Sequence, residues 1–214
     1  FRAERLRHPC VAALAAGNAF VPNDVRLGGR AAGGDDTQEG VPPITLLTGP
    51  NMGGKSTLLR QVCLAAVMAH VGADVPAKSL TMSACDAVYV RMGARDDVAG
   101  GRSTFMVELS ETASMLRRCT RDSLVALDEL GRGTSTSDGF AIASSVVDAL
   151  ASVGARTLFA THYHRLAEEH ERDAEDARLE TFGAEGDLTV DTKKTVALAH
   201  MGCDVRQEGS GDES

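Results

Sequence analysis

The segment from Gly49 to Thr57 has the spacing of a loop that binds phosphate groups. It reads GPNMGGKST, follows an apolar run and opens a stretch with helical periodicity, which is the context that the pattern GxxxxGKS/T requires. Glycines allow a tight turn that points backbone N–H groups inward, and the start of a helix attracts negative charge. An ordinary glycine-rich turn between a strand and a helix is the alternative.

The side chains of this segment have separate expected roles. Lys55 is expected to reach the β and γ phosphates of ATP, and Ser56 is expected to offer its hydroxyl to Mg²⁺. The residues predicted to bind the nucleotide are Gly49, Pro50, Asn51, Met52, Gly53, Gly54, Lys55, Ser56 and Thr57.

Two adjacent carboxylates end a second apolar run, SLVALDE, which extends from Ser123 to Glu129. Successive strand residues point to opposite sides, so we expect Asp128 to help hold Mg²⁺ while Glu129 turns toward a water in line with the γ phosphate. The metal would neutralise charge on the phosphate oxygens, and Glu129 would polarise the water or accept its proton. A solvated strand end with a salt bridge is the alternative.

A third apolar run ends in the polar residues THYH, from Thr161 to His164. Because open parallel sheets bind ligands at the carboxyl ends of their strands, His162 is a candidate to hydrogen-bond the γ phosphate or the attacking water. A histidine that is satisfied within its own loop is the alternative. A zinc site built from His162 and His164 is disfavoured, since no third ligand stands at a suitable spacing.

The elements that must position these residues alternate between strands and helices. Branched apolar runs predict strands at Ile44–Thr48, Leu124–Leu127 and Thr157–Thr161, with further strands at Ala87–Arg91 and around Phe20 and Val21. Apolar residues spaced three and four apart predict helices that carry Leu58 to Ala69, Phe105 to Leu116 and Phe140 to Leu150. This alternation predicts an α/β fold with a mainly parallel sheet and helices on both faces.

The composition is that of an ordinary globular protein, with 43% hydrophobic and 24% charged residues among 214. No apolar run approaches the roughly 20 residues that cross a bilayer, so we expect no membrane insertion. The five cysteines stand singly, which predicts reduced thiols. A net charge of −8 argues against nucleic-acid binding by this domain alone, because phosphate backbones are bound by clustered Lys and Arg.

Four blocks between about Thr48 and His164 resemble the MutS family of DNA mismatch-repair ATPases. GPNMGGKST is similar to the family's Walker A motif, GRSTFMVELSETAS to its signature segment, DELGRGTSTSDG to its Walker B motif and following loop, and FATHYH to its switch-histidine block. RHPC, FVPND, ELSET and HMGC look most like the eukaryotic nuclear homologue that supplies the mismatch-reading subunit of the MutS-alpha heterodimer. The resemblance implies a P-loop NTPase fold of the ABC-like type.

The resemblance also implies roles that spacing alone does not. Ser103 would be presented to the nucleotide of a second MutS-family protomer, so that hydrolysis is completed in trans, and Phe20 and Val21 would lie against the adenine ring. From the residues alone, Ser103 is equally an N-cap of the helix that follows, and Phe20 is equally a core residue. The implied protein is a nuclear heterodimer that binds mismatched double-stranded DNA mainly through regions absent from this chain and whose nucleotide state switches a DNA clamp.

We expect one ATPase domain at 1–164 with a flexible insertion loop at 28–40, followed by a charged, partly disordered and truncated C-terminal segment at 165–214. Rival functions remain open. A phosphotransferase would pass the γ phosphate to a small acceptor, and a nucleotide-dependent scaffold would bind without turnover. A transporter-type ABC ATPase would carry an LSGGQ-type signature where GRSTFMVE stands. A meiotic MutS homologue acting on recombination intermediates would share nearly all of the motifs.

Overall fold

The computed structural model describes residues 1–14, 20–28, 41–50, 53–93, 104–172 and 196–201. The elements in chain order are β1 (Arg2–Leu6), α1 (Pro9–Leu14), β2 (Asn23–Arg26), β3 (Ile44–Thr48), α2 (Lys55–His70), β4 (Ser79–Thr81), β5 (Val88–Arg91), α3 (Thr104–Arg118), β6 (Leu124–Asp128), α4 (Thr136–Val153), β7 (Arg156–Ala160), α5 (residues 164–172) and β8 (Val196–His200). Most of the predicted insertion loop, residues 29–40, lies outside the described residues.

A five-stranded sheet in the order β5-β6-β7-β3-β8 forms the centre of the structure. Every neighbouring pair in it is parallel, so the segments that follow β3, β6 and β7 all lie at one edge of the sheet. The predicted α/β fold with a parallel sheet is confirmed. The strands predicted at Ile44–Thr48, Leu124–Leu127 and Thr157–Thr161 are also confirmed, with differences of one residue at the boundaries of the last two.

Helices cover both faces of this sheet, as predicted. In β6, Leu124 and Ala126 pack into a cluster with residues of α2, whereas Val125 and Leu127 pack into a second cluster with residues of α4. All four side chains are buried, which explains why β6 is continuously apolar rather than alternating. The two clusters hold the carboxyl end of the strand, and the acid at Asp128, in a fixed place.

A second, smaller sheet is antiparallel and has the order β2-β1-β4. The strand predicted around Phe20 and Val21 is wrong, because β2 begins at Asn23, beyond Pro22. Proline has no backbone N–H to donate to a strand ladder, and the pairing with β1 starts only where Leu6 faces Asn23. The prediction relied on the β propensity of the apolar pair, whereas the observed strand lies on the more polar residues that follow, because those residues pair with β1.

An edge strand of the main sheet comes from the segment 165–214, to which the sequence assigned no strand. This strand, β8, pairs in parallel with β3 from Ile44 opposite Val196 to Thr48 opposite His200. The sheet therefore takes in residues beyond position 164, the predicted end of the ATPase domain. No helix in the described part of the chain has both the length and the apolar character needed to cross a membrane.

Candidate nucleotide site

The loop between β3 and α2 is shaped by glycines in conformations that other residues rarely adopt. Gly49 has a φ of 135° and Gly54 a φ of 88°, both in the region that glycine enters without strain. Helix α2 begins directly at Lys55, and no side chain caps its start. The first N–H groups of the helix therefore lack intrahelical partners and are available to an anion.

Lys55 lies over this loop rather than in solvent. Its side-chain amine donates to the carbonyl oxygens of Gly49 at 2.5 Å and of Pro50 at 3.1 Å, and the residue is only 3% exposed. Ser56 and Thr57 follow in the first turn of α2 and are partly buried. The structure thus gathers the described residues of the predicted loop at one place, while 51–52 lie outside the described ranges.

The register of the sheet places Asp128 level with Leu47, just before this loop begins. Leu47, near the end of β3, and Asp128, at the end of β6, both stand opposite Ala160 of β7. Two strand spacings separate them, or about 10 Å between backbones. Side chains that extend from the two strand ends can therefore reach a common ligand at this edge of the sheet.

Asp128 carries an oxygen that has no partner among the described residues. Its Oδ1 atom is buried and accepts no hydrogen bond, and a buried carboxylate oxygen is unfavourable unless a donor or a cation satisfies it. Mg²⁺ prefers oxygen ligands, usually one or two carboxylates or hydroxyls beside phosphate oxygens. Asp128, together with the Ser56 hydroxyl at the start of α2, fits that preference.

Glu129 adopts a left-handed backbone conformation, with a φ of 52°. Its N–H donates to the carbonyl oxygen of Ala160 at 2.9 Å, which anchors the turn to β7. The Arg132 guanidinium donates to Glu129 Oε2 at 2.7 Å, although the Arg132 side chain is 70% exposed. Sequence reasoning missed Arg132, whose signal is an opposite charge three residues after the acid.

His162 lies in the loop after β7, and therefore between the loops that follow β3 and β6. Its side chain is exposed, and its ring centroid lies 4.1 Å from that of Tyr163. The loop is tied to the β3 side by the Thr161 N–H, which donates to the Leu47 carbonyl at 3.0 Å. The strand order thus brings together the three loops that carry Lys55, Glu129 and His162.

The remaining predicted site residues are Phe20, Val21 and Ser103, of which the structure describes the first two. Phe20 is partly buried and Val21 is 75% exposed. The segment that follows them is held on α2, because the Gln61 side-chain amide donates to Asn23 Oδ1 at 2.9 Å. Ser103 lies outside the described residues, directly before the start of α3 at Thr104.

Met201 is a contact of the loop between β3 and α2 that sequence reasoning did not find. Its N–H donates to the Thr48 carbonyl at 2.9 Å. A Cβ atom added at Gly49 would lie 2.8 Å from the Met201 oxygen, and one at Gly53 would lie 3.4 Å from the Met201 Cβ. The end of β8 therefore packs against the loop. No signal in the sequence predicted this contact, because β8 itself was not predicted.

The comparison with protein families gives a match to the family described as MutS domain V over residues 45–206. The chain belongs to the MutS family. Similar relatives include the DNA mismatch repair protein MSH6 of Arabidopsis thaliana, 46% identical over 210 residues, which are 97% of this chain and 14% of the relative. The DNA mismatch repair protein Msh6 of Homo sapiens is 45% identical over 203 residues, 94% of this chain and 13% of the relative.

Proteins named MutS also occur among the relatives. The DNA mismatch repair protein MutS of Acetivibrio thermocellus is 51% identical over 167 residues, which are 78% of this chain and 18% of the relative. The chain thus spans less than a fifth of the length of each of these three MutS-family relatives. The resemblance to the MutS family, and within it to eukaryotic homologues, is confirmed.

Proposed function

We propose that this chain is the ATPase domain of a MutS-family DNA mismatch-repair protein and that it binds and hydrolyses Mg-ATP. The observation that carries the proposal is the buried Oδ1 of Asp128, which has no hydrogen-bond partner among the described residues. Asp128 ends β6 at the edge of the sheet where β3 leads into the glycine loop that opens directly into α2. A phosphate group on that loop with Mg²⁺ beside it would satisfy both features.

Binding of the nucleotide uses groups from one loop and one strand end. Backbone N–H groups from Gly54 to Thr57 and the Lys55 ammonium bind the phosphate oxygens. Ser56 and Asp128 hold Mg²⁺, which when bound neutralises charge on the phosphates. Phe20 and Val21 lie against the adenine ring. The exposure of Val21 leaves apolar surface available for that contact.

Hydrolysis requires a base, and Glu129 is the residue placed to act as one. The oxygen of a water attacks the γ phosphorus, the bond from that phosphorus to the bridging oxygen breaks, and ADP leaves with the electron pair. Glu129 accepts the proton of the water, and His162 donates a hydrogen bond to the γ phosphate or to the water. Arg132 holds the Glu129 carboxylate in place by its 2.7 Å hydrogen bond.

The site is completed by a second MutS-family protomer. Ser103 acts on the nucleotide of the partner protomer, and the partner's own signature segment acts on the nucleotide bound here. The start of α3 packs against the loop between β6 and α4, since a Cβ atom added at Gly133 would lie 3.2 Å from Phe105 Cβ. Shifting two arrangements of the protomers from 1:99 to 99:1 needs about 5.5 kcal/mol of differential binding. ATP bound between the protomers provides contacts toward that difference, and the full-length heterodimer in the nucleus transmits the change to a DNA clamp.

Two substitutions separate binding from hydrolysis. In the full-length protein with its partner, Lys55→Ala is expected to weaken nucleotide binding because it removes the phosphate-binding ammonium. Glu129→Gln is expected to leave binding intact and to retain ATP, since it keeps the shape of the side chain and removes the base. Fluorescent ATP-analogue binding and phosphate release measure the two steps.

Lys78→Ala is the matched control, because Lys78 is an exposed lysine directly before β4 that pairs with Glu4 at 3.3 Å. It should change neither step. Equal loss of nucleotide binding in Lys55→Ala and Glu129→Gln would contradict the assignment of the base, and unchanged binding in Lys55→Ala would contradict the nucleotide site itself.

A further inference from the structure

Glu108 is a buried carboxylate in the middle of α3. The residue is only 7% exposed, and its Oε1 accepts a hydrogen bond from the Gly131 N–H at 3.4 Å. Burial raises the pKa of Glu108, against the opposing effects of the Arg91 charge and the Gly131 N–H. An apolar side chain of similar size would fill this space without the desolvation penalty. The carboxylate therefore needs an explanation other than packing.

Gly131 is bonded through both of its peptide groups. Its N–H donates to Glu108, and its carbonyl accepts from the Tyr163 hydroxyl at 3.1 Å. It has a φ of 87°, and a Cβ atom added there would lie 2.7 Å from the Gly139 carbonyl oxygen. Gly131 stands two residues after Glu129, so whatever fixes its peptide groups also limits where the Glu129 carboxylate can lie.

Tyr163 contacts both Gly131 and His162. Its ring is buried, at 6% exposure, and lies against the imidazole of His162 at 4.1 Å between centroids. Its own N–H donates to Thr161 Oγ1 at 3.0 Å, which holds the loop after β7. The Glu108 charge contributes to raising the pKa of the Tyr163 hydroxyl, after burial, which is consistent with the closeness of the two groups.

We propose that Glu108 and Tyr163 are positioning residues that hold Gly131 through its two peptide groups, one through the N–H and the other through the carbonyl, and thereby couple α3 to Glu129 and His162. The inference rests on the proposed function, and it assigns a regulatory contact to the same site. Because α3 starts directly after Ser103, the contact links the segment that acts on the partner's nucleotide to the base that acts on this chain's own.

The first test asks whether Glu108 and Tyr163 both act through Gly131. In the full-length heterodimer, Glu108→Met and Tyr163→Phe should each lower the single-turnover hydrolysis rate by about tenfold, the factor that one hydrogen bond of about 1.4 kcal/mol represents. Nucleotide affinity should stay within about twofold. The double variant should lose no more than about tenfold in rate, since residues that share a contact are not additive.

Two further variants separate positioning from folding. Glu108→Gln keeps an acceptor oxygen and should retain most of the hydrolysis rate. Glu111→Gln, the matched control, removes a carboxylate of the same helix that pairs with Arg91 at 3.0 Å, and it should leave the rate unchanged. Wild-type rates in Glu108→Met and Tyr163→Phe, or fully additive losses in their double variant, would overturn the inference.

The second test measures coupling across the two sites. With Glu129→Gln in this chain, the remaining phosphate release comes from the partner's site. Adding Glu108→Met should lower that release, whereas adding Glu111→Gln should not. Ser103→Ala on the same background separates a failure of this inference from a failure of the proposed function. If Ser103→Ala lowers the rate of the partner's site and Glu108→Met does not, the proposed coupling is wrong. If Ser103→Ala also has no effect, the composite site of the proposed function is wrong.

Discussion

Replacing Gly131 by alanine is expected to distort the loop that carries Glu129. Gly131 has a φ of 87°, and a left-handed conformation raises the energy of a residue with a side chain by about 1–2 kcal/mol. The new Cβ would also lie 2.7 Å from the Gly139 carbonyl oxygen and 2.8 Å from the Gly139 Cα, so the start of α4 would have to move. Overpacking of this kind costs about 1–3 kcal/mol, which brings the total to about 2–5 kcal/mol.

Gly72→Ala is the matched control for Gly131→Ala. Gly72 has a φ of 73°, and a Cβ atom there would meet nothing within 4 Å, so only the backbone term of about 1–2 kcal/mol applies. For a chain of this size each kcal/mol lowers Tm by about 2–4 °C. Calorimetry of the chain should therefore show losses of about 2–8 °C for Gly72→Ala and about 4–20 °C for Gly131→Ala. Equal losses would refute the close packing of Gly131 on Gly139.

Three other predictions concern single side chains. Ser103→Ala should reduce phosphate release only from the partner's site, which mixing of differently mutated subunits measures. Burial raises the pKa of Cys63 to about 12, so iodoacetamide at about pH 8 should modify the exposed Cys10 and leave Cys63 unmodified, as mass spectrometry would show. The raised pKa of Glu108 means that the native state binds the proton of this carboxyl more tightly than the unfolded chain does. The resulting stabilisation of the native state is fully present below pH 4.5, the ordinary pKa of the group, and is lost as pH rises through the raised pKa. Glu108→Gln should therefore flatten the fall in unfolding free energy across that window, as measured by urea titration at several pH values.

The sequence predicted the centre of the fold because its signals there are local and strong. A strand buried on both faces, such as Leu124–Asp128, is an unbroken apolar run, and the turn that follows it is marked by charged or glycine residues. The same runs place Asp128 at a strand end and place Lys55 and His162 in the segments that follow two other strands, so a parallel sheet alone brings these residues to one edge. The relative order of those strands could not be deduced from any one of them.

The strands that the sequence did not predict depend on partners far along the chain. β1 carries charged residues at its exposed positions, β4 has only three residues, and β8 follows a charged segment. Each acquires its structure by pairing, with β2, β1 and β3 respectively, and such pairing leaves little local pattern. The contact of Met201 with the loop between β3 and α2 could not be predicted for the same reason.

The two adjacent acids at the end of β6 differ in backbone conformation, because only the first belongs to the strand. The strand ends at Asp128, and Glu129 leaves it with a φ of 52°, a conformation that raises the energy of a residue with a side chain by about 1–2 kcal/mol. Glycine would adopt the same turn without that strain. The backbone would favour glycine here, and a carboxylate in its place accords with the proposed role of Glu129 as the base, since strained residues occur often at functional sites. The hydrogen bonds from the Glu129 N–H to Ala160 and from Arg132 to the carboxylate hold this residue in place.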